Sequence, residues 1–363
     1  LVEYLFTLAQ YVVHCLKILQ NISKPTKIMQ NSLKNKLLCN IILIGCLAFC
    51  SWGFLVHRTV HQLAIYQLPK PMQDFFYANA DYLIKHSVRP DTRKKQDPTE
   101  ETKHFIDFEA YGKNAALTMP TKWQAAVKKY SIDTLKKYGY VPYVIADVQA
   151  KLTNAFKQGN KDSILFYAAD LGHYIADAHV PLHTTLNYDG QLTNQKGIHS
   201  LWESMIPEIE IANFNLYTPH TATYIKNMDA AIWQAVRQSH KLVNELLLQE
   251  KVVSKTMSEE TKYRTQIRRG KEVKNYTSAF AKAYHVALKN SINQQLILSS
   301  EMIANCWFTA WVNAGKPNLE KCFATPTKSQ LDELNIELAS YKKNSLLKEN
   351  LLKAKEKQNN NDE

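Results

Sequence analysis

Beyond residue 52, apolar positions recur three and four residues apart over most of the chain, the spacing of helices with one buried face. Residues 58–68 (RTVHQLAIYQL) show it and stop at Pro69. Residues 71–86 open on Pro71, a favoured first-turn residue, and show it again. Helices are expected over 121–138, 142–158 and 161–178, the last broken by Pro181, then over 197–206, 219–250, 252–268 and 276–313. Residues 87–103 are polar and charged, contain Pro90 and Pro98, and read as loop. No convincing strand pair stands out. Residues 327–363 place Leu among Lys and Glu at helical spacing and end in QNNNDE, which reads as a surface helix with a frayed tail. The expected body is an all-α single domain over residues 52–326, with 327–363 as its C-terminal appendage.

The N-terminal 51 residues have a different pattern. Met29 is the first Met, so residues 1–28 read as an over-extended leader. From Met29 a short basic stretch with Lys34 and Lys36 leads into an apolar run from Leu37 to Phe49. A basic region followed by about 7–15 apolar residues is an export signal, and residues 29–51 are read as one. The run is short for a membrane span of about 20 residues. Cutting just before Trp52 would expose its α-amino group. Cys46-Leu47-Ala48 offers another small-x-small site, and Leu43-Ile44-Gly45-Cys46 looks like a lipoprotein box that would attach lipid to Cys46. The expected location is secreted or periplasmic, or lipid-anchored at the cell envelope.

Composition narrows this further. The 363 residues are 45% hydrophobic and 21% charged, with Gly 10 and Pro 12, which excludes collagen-like and broadly disordered chains. The net charge is +12, of which the leader holds +4 through five Lys and one Glu. The rest still favours an anionic partner such as nucleic acid or phospholipid headgroups. Of the six Cys, only Cys306 and Cys322 lie beyond the leader. They form one disulfide or two thiols; a disulfide scaffold is excluded.

The chemistry concentrates between residues 173 and 203. His173 and Asp177 are four apart in LGHYIADAH, on one helix face. His199 and Glu203 repeat the step in IHSLWES, and His183 lies between, just past the Pro181 break. Neutral imidazole and carboxylate together suit Zn(II). Such pairs buried without a metal would cost desolvation for little return.

Taken in order, Trp52-Gly53-Phe54-Leu55-Val56-His57, HFID at 104–107, GHYIADAHVPLH at 172–183 and HSLWE at 199–203 resemble the zinc-dependent phospholipase C superfamily, which includes the single-strand-specific zinc nucleases of fungi and plants. The resemblance implies a multi-helix domain around a trinuclear zinc site. By position, one zinc would be held by Asp91, His104, His173 and Asp177, and a second by His183, His199 and Glu203. A third would be held by His57, Asp177 as a bridge, and the free α-amino nitrogen and carbonyl oxygen of Trp52. That third ion is conditional on a free Trp52 amine, because an amide nitrogen is a poor ligand. His61 competes with His57 for one role, and the five-residue step from Trp52 favours His57. Asp91 is preferred to Asp97 because it leaves about the family's interval before His104. His179 falls outside the ligand pattern and belongs to helix packing or to the shell around the ligands.

The implied activity is phosphodiester hydrolysis through a hydroxide held between two zinc ions, with Asp91 orienting or deprotonating the attacking water. Phe105 and Asp107 match positions that in the nuclease branch stack on and hydrogen-bond a base. They lean the substrate toward single-stranded nucleic acid or nucleotides. Glu203, where the nuclease branch has Asp, leans toward phospholipid headgroups. A non-catalytic zinc-binding surface protein is the remaining alternative.

Overall fold

The computed structural model describes residues 53–70, 72–268, 271–319 and 326–355. The chain divides into two units, Leu1–Ser51 and Trp52–Glu363. The first, with the expected signal and Cys46, lies outside the described residues, as do Trp52 and Cys322.

The second unit is all-α apart from one hairpin. Its centre is four helices. Phe54–Tyr66 is buried on nearly every side, as expected of a helix apolar all round. Val141–Gln158 begins with Pro142 in its first turn and ends on Gly159, left-handed at φ 62°. Lys161–Ala178 is capped by Asn160, whose side chain accepts from Ser163 N at 2.9 Å, and Ser291–Asn313 completes the set. These helices pack on one another. Trp307 marks their meeting point: it stacks on Phe76 with ring centres 4.7 Å apart and donates to Ala168 O at 3.0 Å. Burying such aromatic surface supplies much of the driving force for assembly.

Several elements differ from the sequence expectation. The segment 87–103, read as loop, contains the helix Arg89–Arg93, with Pro90 in its first turn. The expected helix 219–250 starts only at Met228, where Asn227 caps it, and breaks at Leu242 before Val243–Ser254. Residues 220–225 stay irregular because neighbouring helices take their amides: Thr223 N donates to Asn305 Oδ1 and Ile225 N to Thr309 Oγ1. The expected helix 276–313 breaks around Lys289, at φ 55°, into Ser278–Ala287 and Ser291–Asn313. The expected helix 252–268 is instead a helix end followed by strand Tyr263–Arg268, paired antiparallel with Lys271–Tyr276. Tyr263, Thr265 and Ile267 do alternate with polar residues, but the Lys- and Glu-rich surroundings masked that period. Tyr276, pinned between Tyr263 and Phe280 with ring centres at 5.0 and 4.8 Å, fixes the hairpin to the body.

The C-terminal helix Lys328–Lys342 opens with a capping box between Thr327 and Gln330. Leu334 and Tyr341 enter the core, and Glu337 accepts hydrogen bonds from Tyr66 and Tyr77. Among the described residues no helix is long and apolar enough to cross a membrane. Cys306 is a buried free thiol, pushed up to about 12 by burial.

Candidate metal centre

Six segments converge on one end of the central helices. His57 projects from Phe54–Tyr66, Asp91 from Arg89–Arg93, and His104 from the turn after it. His173 and Asp177 come from Lys161–Ala178, His183 from the single turn that follows, and His199 and Glu203 from the segment beginning at Ile198. Glu203 sits in a π-helical turn, Leu201–Met205, a local widening common at functional sites.

The ligand-type atoms fall into three groups, each within 4.8 Å: Asp91, His104 and His173; His57, His173 and Asp177, which shares His173 with the first; and His183, His199 and Glu203. In the first, His104 Nδ1 lies 3.0 Å from His173 Nε2 and 2.7 Å from Asp177 Oδ2. Asp91 Oδ1 lies 3.6 and 3.7 Å from the same two nitrogens. In the third, His199 Nε2 is 3.1 Å from His183 Nε2 and 2.7 Å from Glu203 Oε2. Donors about 2.0–2.1 Å from a tetrahedral zinc stand about 3.3 Å apart, so both groups have zinc-sized edges. Asp177 joins the groups: Oδ2 faces His104 while Oδ1 is 3.6 Å from His57 Nε2.

The orientation of the rings supports this donor set. His173 Nδ1 donates to Ser87 O at 2.8 Å, and His183 Nδ1 to His104 O at 2.8 Å. Each fixes the tautomer that leaves Nε2 as a lone pair facing the cluster, the usual arrangement around a ligating imidazole. Two imidazole nitrogens facing each other at 3.0 and 3.1 Å fit a shared cation well and each other poorly. The residues present therefore fit zinc.

Without a cation, the cluster must hold protons instead. Burial opposes a charged His173, but Asp177 and Asp91 outweigh it and raise it to about 9. His183 is likewise raised to about 9 by Asp177 and Glu203 against burial. His57, buried and stacked on His173 at 4.1 Å, is lowered to about 4 by burial and by that neighbour. Burial pushes the Asp91, Asp177 and Glu203 carboxyls up, yet the surrounding imidazoles hold all three below the ordinary range. Zinc would replace the protons on His173 and His183.

His61 is set apart from the cluster. Both ring nitrogens face carbonyls, His57 O at 2.7 Å and Ala169 O at 3.0 Å, and burial lowers it to about 3. It fits against Gly172, where an added Cβ would lie 2.3 Å from His61 Nε2. His179 bonds its own helix through Ile175 O at 2.8 Å. Gly53, at φ 95°, runs beside the cluster: a Cβ there would sit 3.7 Å from Glu203 Oε1.

Phe105 is half-buried against the Gly139 backbone, where an added Cβ would come within 2.5 Å of its ring. Asp107 makes no helix cap. Burial, then Glu109, raises its carboxyl to about 7.

Two residues near the centre escaped sequence reasoning. Lys94 Nζ lies 2.8 Å from Asp91 Oδ1, and although burial lowers it, Asp91 and Asp177 raise it overall. Its signal was the three-residue step from Asp91, invisible while that segment read as loop. Tyr188, 52% exposed, stands with its ring 6.3 Å from His199; nothing in its sequence context marked it.

A model of the S1/P1 Nuclease family matches residues 52–307 of this chain. No curated protein matches it.

Proposed function

The chain belongs to the S1/P1 nuclease family and is a zinc-dependent phosphodiester hydrolase, and on that premise we propose that it is an exported enzyme cleaving single-stranded nucleic acid and nucleotides with three zinc ions. Asp91, His104, His173 and Asp177 would hold one, and His183, His199 and Glu203 the second. His57 and Asp177, with the amine and carbonyl of Trp52, would hold the third. The observation that carries this reading is the pair of facing imidazole contacts, His104–His173 and His183–His199, with Asp177 turning one oxygen to His104 and the other to His57.

Bound zinc supplies Lewis acidity, making water a nucleophile at neutral pH and drawing charge from the phosphoryl group. The chain's own groups do the rest. Asp91, held ionised by His173, His57 and Lys94 against its burial, accepts a proton from the attacking water at Oδ1 or Oδ2. Lys94 keeps that carboxylate in place and presents a positive charge where the phosphoryl group gains negative charge. Ser87 O and the backbone of His104 hold the imidazoles of His173 and His183 in register. Phe105 offers a ring for base stacking, worth about 1–3 kcal/mol per base, and Asp107 an acceptor or donor for a base edge.

Phospholipid headgroups are not favoured: the matching family is a nuclease family, and the longer arm of Glu203, the one site feature leaning the other way, still brings Oε2 to 2.7 Å from His199 Nε2. The test is zinc content of the mature protein, N-terminal sequencing, and parallel assays on single-stranded DNA, duplex DNA and phosphatidylcholine. About three zinc ions per chain, a Trp52 N-terminus and cleavage confined to single strands are expected. Cleavage of phosphatidylcholine alone would overturn the substrate reading.

A further inference from the structure

A groove of about 400 Å³ is lined by Phe108, Glu109, Lys113, Leu117, Arg237 and Lys241 among others. Two segments connect it to the metal centre. Phe108 and Glu109 directly follow Asp107. The chain after His183 contacts the residues that line it: His240 Nδ1 lies 3.1 Å from Thr184 Oγ1, and Glu109 accepts from Thr185 Oγ1 at 2.7 Å and Leu186 N at 3.0 Å.

The charges in the groove are unbalanced. Its one acid, Glu109, has both oxygens engaged by those two donors. Arg237 lies 5.6 Å over the Trp233 ring and donates to Ala116 O at 2.5 Å, with no carboxylate partner among the described residues. Lys113 and Lys241 are exposed and have no ion-pair partner among the described residues. The larger cavity, about 780 Å³, is the opposite case. Its Arg93, Lys103 and Lys151 sit 2.9, 2.7 and 2.8 Å from Glu100, Glu100 and Asp147, and its Lys122 pairs with Asp229. It offers an anion no spare charge, whereas the smaller groove offers a surplus on segments that lead directly from Asp107 and His183.

We propose that this groove is a strand-binding subsite, in which Lys113 and Lys241 contact phosphates of the nucleotides flanking the cleaved bond in single-stranded nucleic acid. This rests on the nuclease reading of the metal centre. Concave cationic surface next to a phosphodiester site would hold the polyanion by displacing its counterions. Leu117, 68% exposed at the same groove, adds an apolar edge for a base.

The test compares wild type with the double variant Lys113→Gln/Lys241→Gln on a thirty-residue oligothymidylate and on bis(4-nitrophenyl) phosphate, from low to high salt. Each phosphate contact on a single strand contributes about 0.7 to the log–log salt slope, so two contacts are worth about tenfold at 0.15 M salt. The expected result is a loss of about tenfold in kcat/KM on the oligonucleotide, a salt slope reduced by about 1.4, and unchanged hydrolysis of the small ester. Lys241 also sits in the last turn of its helix, where a cation stabilises the chain terminus; a purely structural role would lower Tm and both activities together, and would overturn the proposal. So would an unimpaired variant on the oligonucleotide. A wild type that hydrolyses the small ester but leaves the oligonucleotide intact would overturn the single-strand reading itself, and the groove with it.

Discussion

Asp177→Asn is the perturbation that the geometry resolves most sharply. The residue is 1% exposed, and its oxygens divide between two groups: Oδ2 faces His104 at 2.7 Å and His173 at 3.3 Å, while Oδ1 faces His57 at 3.6 Å. Asparagine keeps the shape, removes the charge and turns one acceptor into a donor. Changes in the shell outside the ligands cost about 10–100-fold in metal affinity. Losing a charged ligand shared by two ions should exceed that for both. On the proposed three-ion arrangement, zinc content is therefore expected to fall from about three per chain to about one, the survivor in the His183, His199 and Glu203 group. Phosphodiester hydrolysis should fall by about a thousandfold or more. In chelated protein, the same change removes a partner that raises His173 and His183 to about 9. A histidine whose folded pKa exceeds its unfolded value of about 6.5 stabilises fully below that value and loses the contribution as pH rises through about 9. The variant should thus cost about 3–5 kcal/mol at pH 6, the range for breaking a buried pair, and distinctly less at pH 10. Plasma mass spectrometry after dialysis, steady-state hydrolysis and urea unfolding of the chelated protein at both pH values read these effects. A variant that keeps full zinc and full activity would refute the bridging geometry.

Three further outcomes are expected. Lys94→Met should lower kcat about a hundredfold with little change in KM, because a charge near the phosphoryl group acts mainly in the transition state; steady-state kinetics with zinc content as control would read it. Asp107 binds a proton in the folded protein between an unfolded value of about 3.9 and its raised value of about 7, so stability falls as pH rises through that window. Asp107→Asn should then raise Tm relative to wild type at pH 8 and not at pH 4, with weaker discrimination between bases. Gly172→Ala would drive a Cβ into His61 Nε2 at 2.3 Å; overpacking of about 1–3 kcal/mol should lower Tm by several degrees in calorimetry, and an unchanged Tm would show that His61 has room to move.

Much of the molecule is legible locally. The helices Val141–Gln158 and Lys161–Ala178 follow from their apolar spacing, from Pro142 and Asn160 at their starts, and from Gly159 and Pro181 at their ends. The four-residue steps His173–Asp177 and His199–Glu203 follow from helical pitch alone. The hairpin Tyr263–Tyr276 was not legible in that way, because aromatic packing of Tyr276 outweighs the helix-forming composition of its strands. Nor was the helix around Asp91, whose five residues are too few to hold without neighbours. Arg89 and Arg93 anchor it by reaching Asp170 on the long helix, at 2.6 and 3.0 Å.

The sequence by itself determined the helical class, the types of donor atom and the order in which they occur, since these depend on residues a few positions apart. Only the tertiary structure decided that His57, Asp91 and His104 stand against His173, and that Asp177 splits its oxygens between two groups. Those distances are set by how segments from 69 to 120 residues apart in the chain pack on one another, and no local periodicity encodes that.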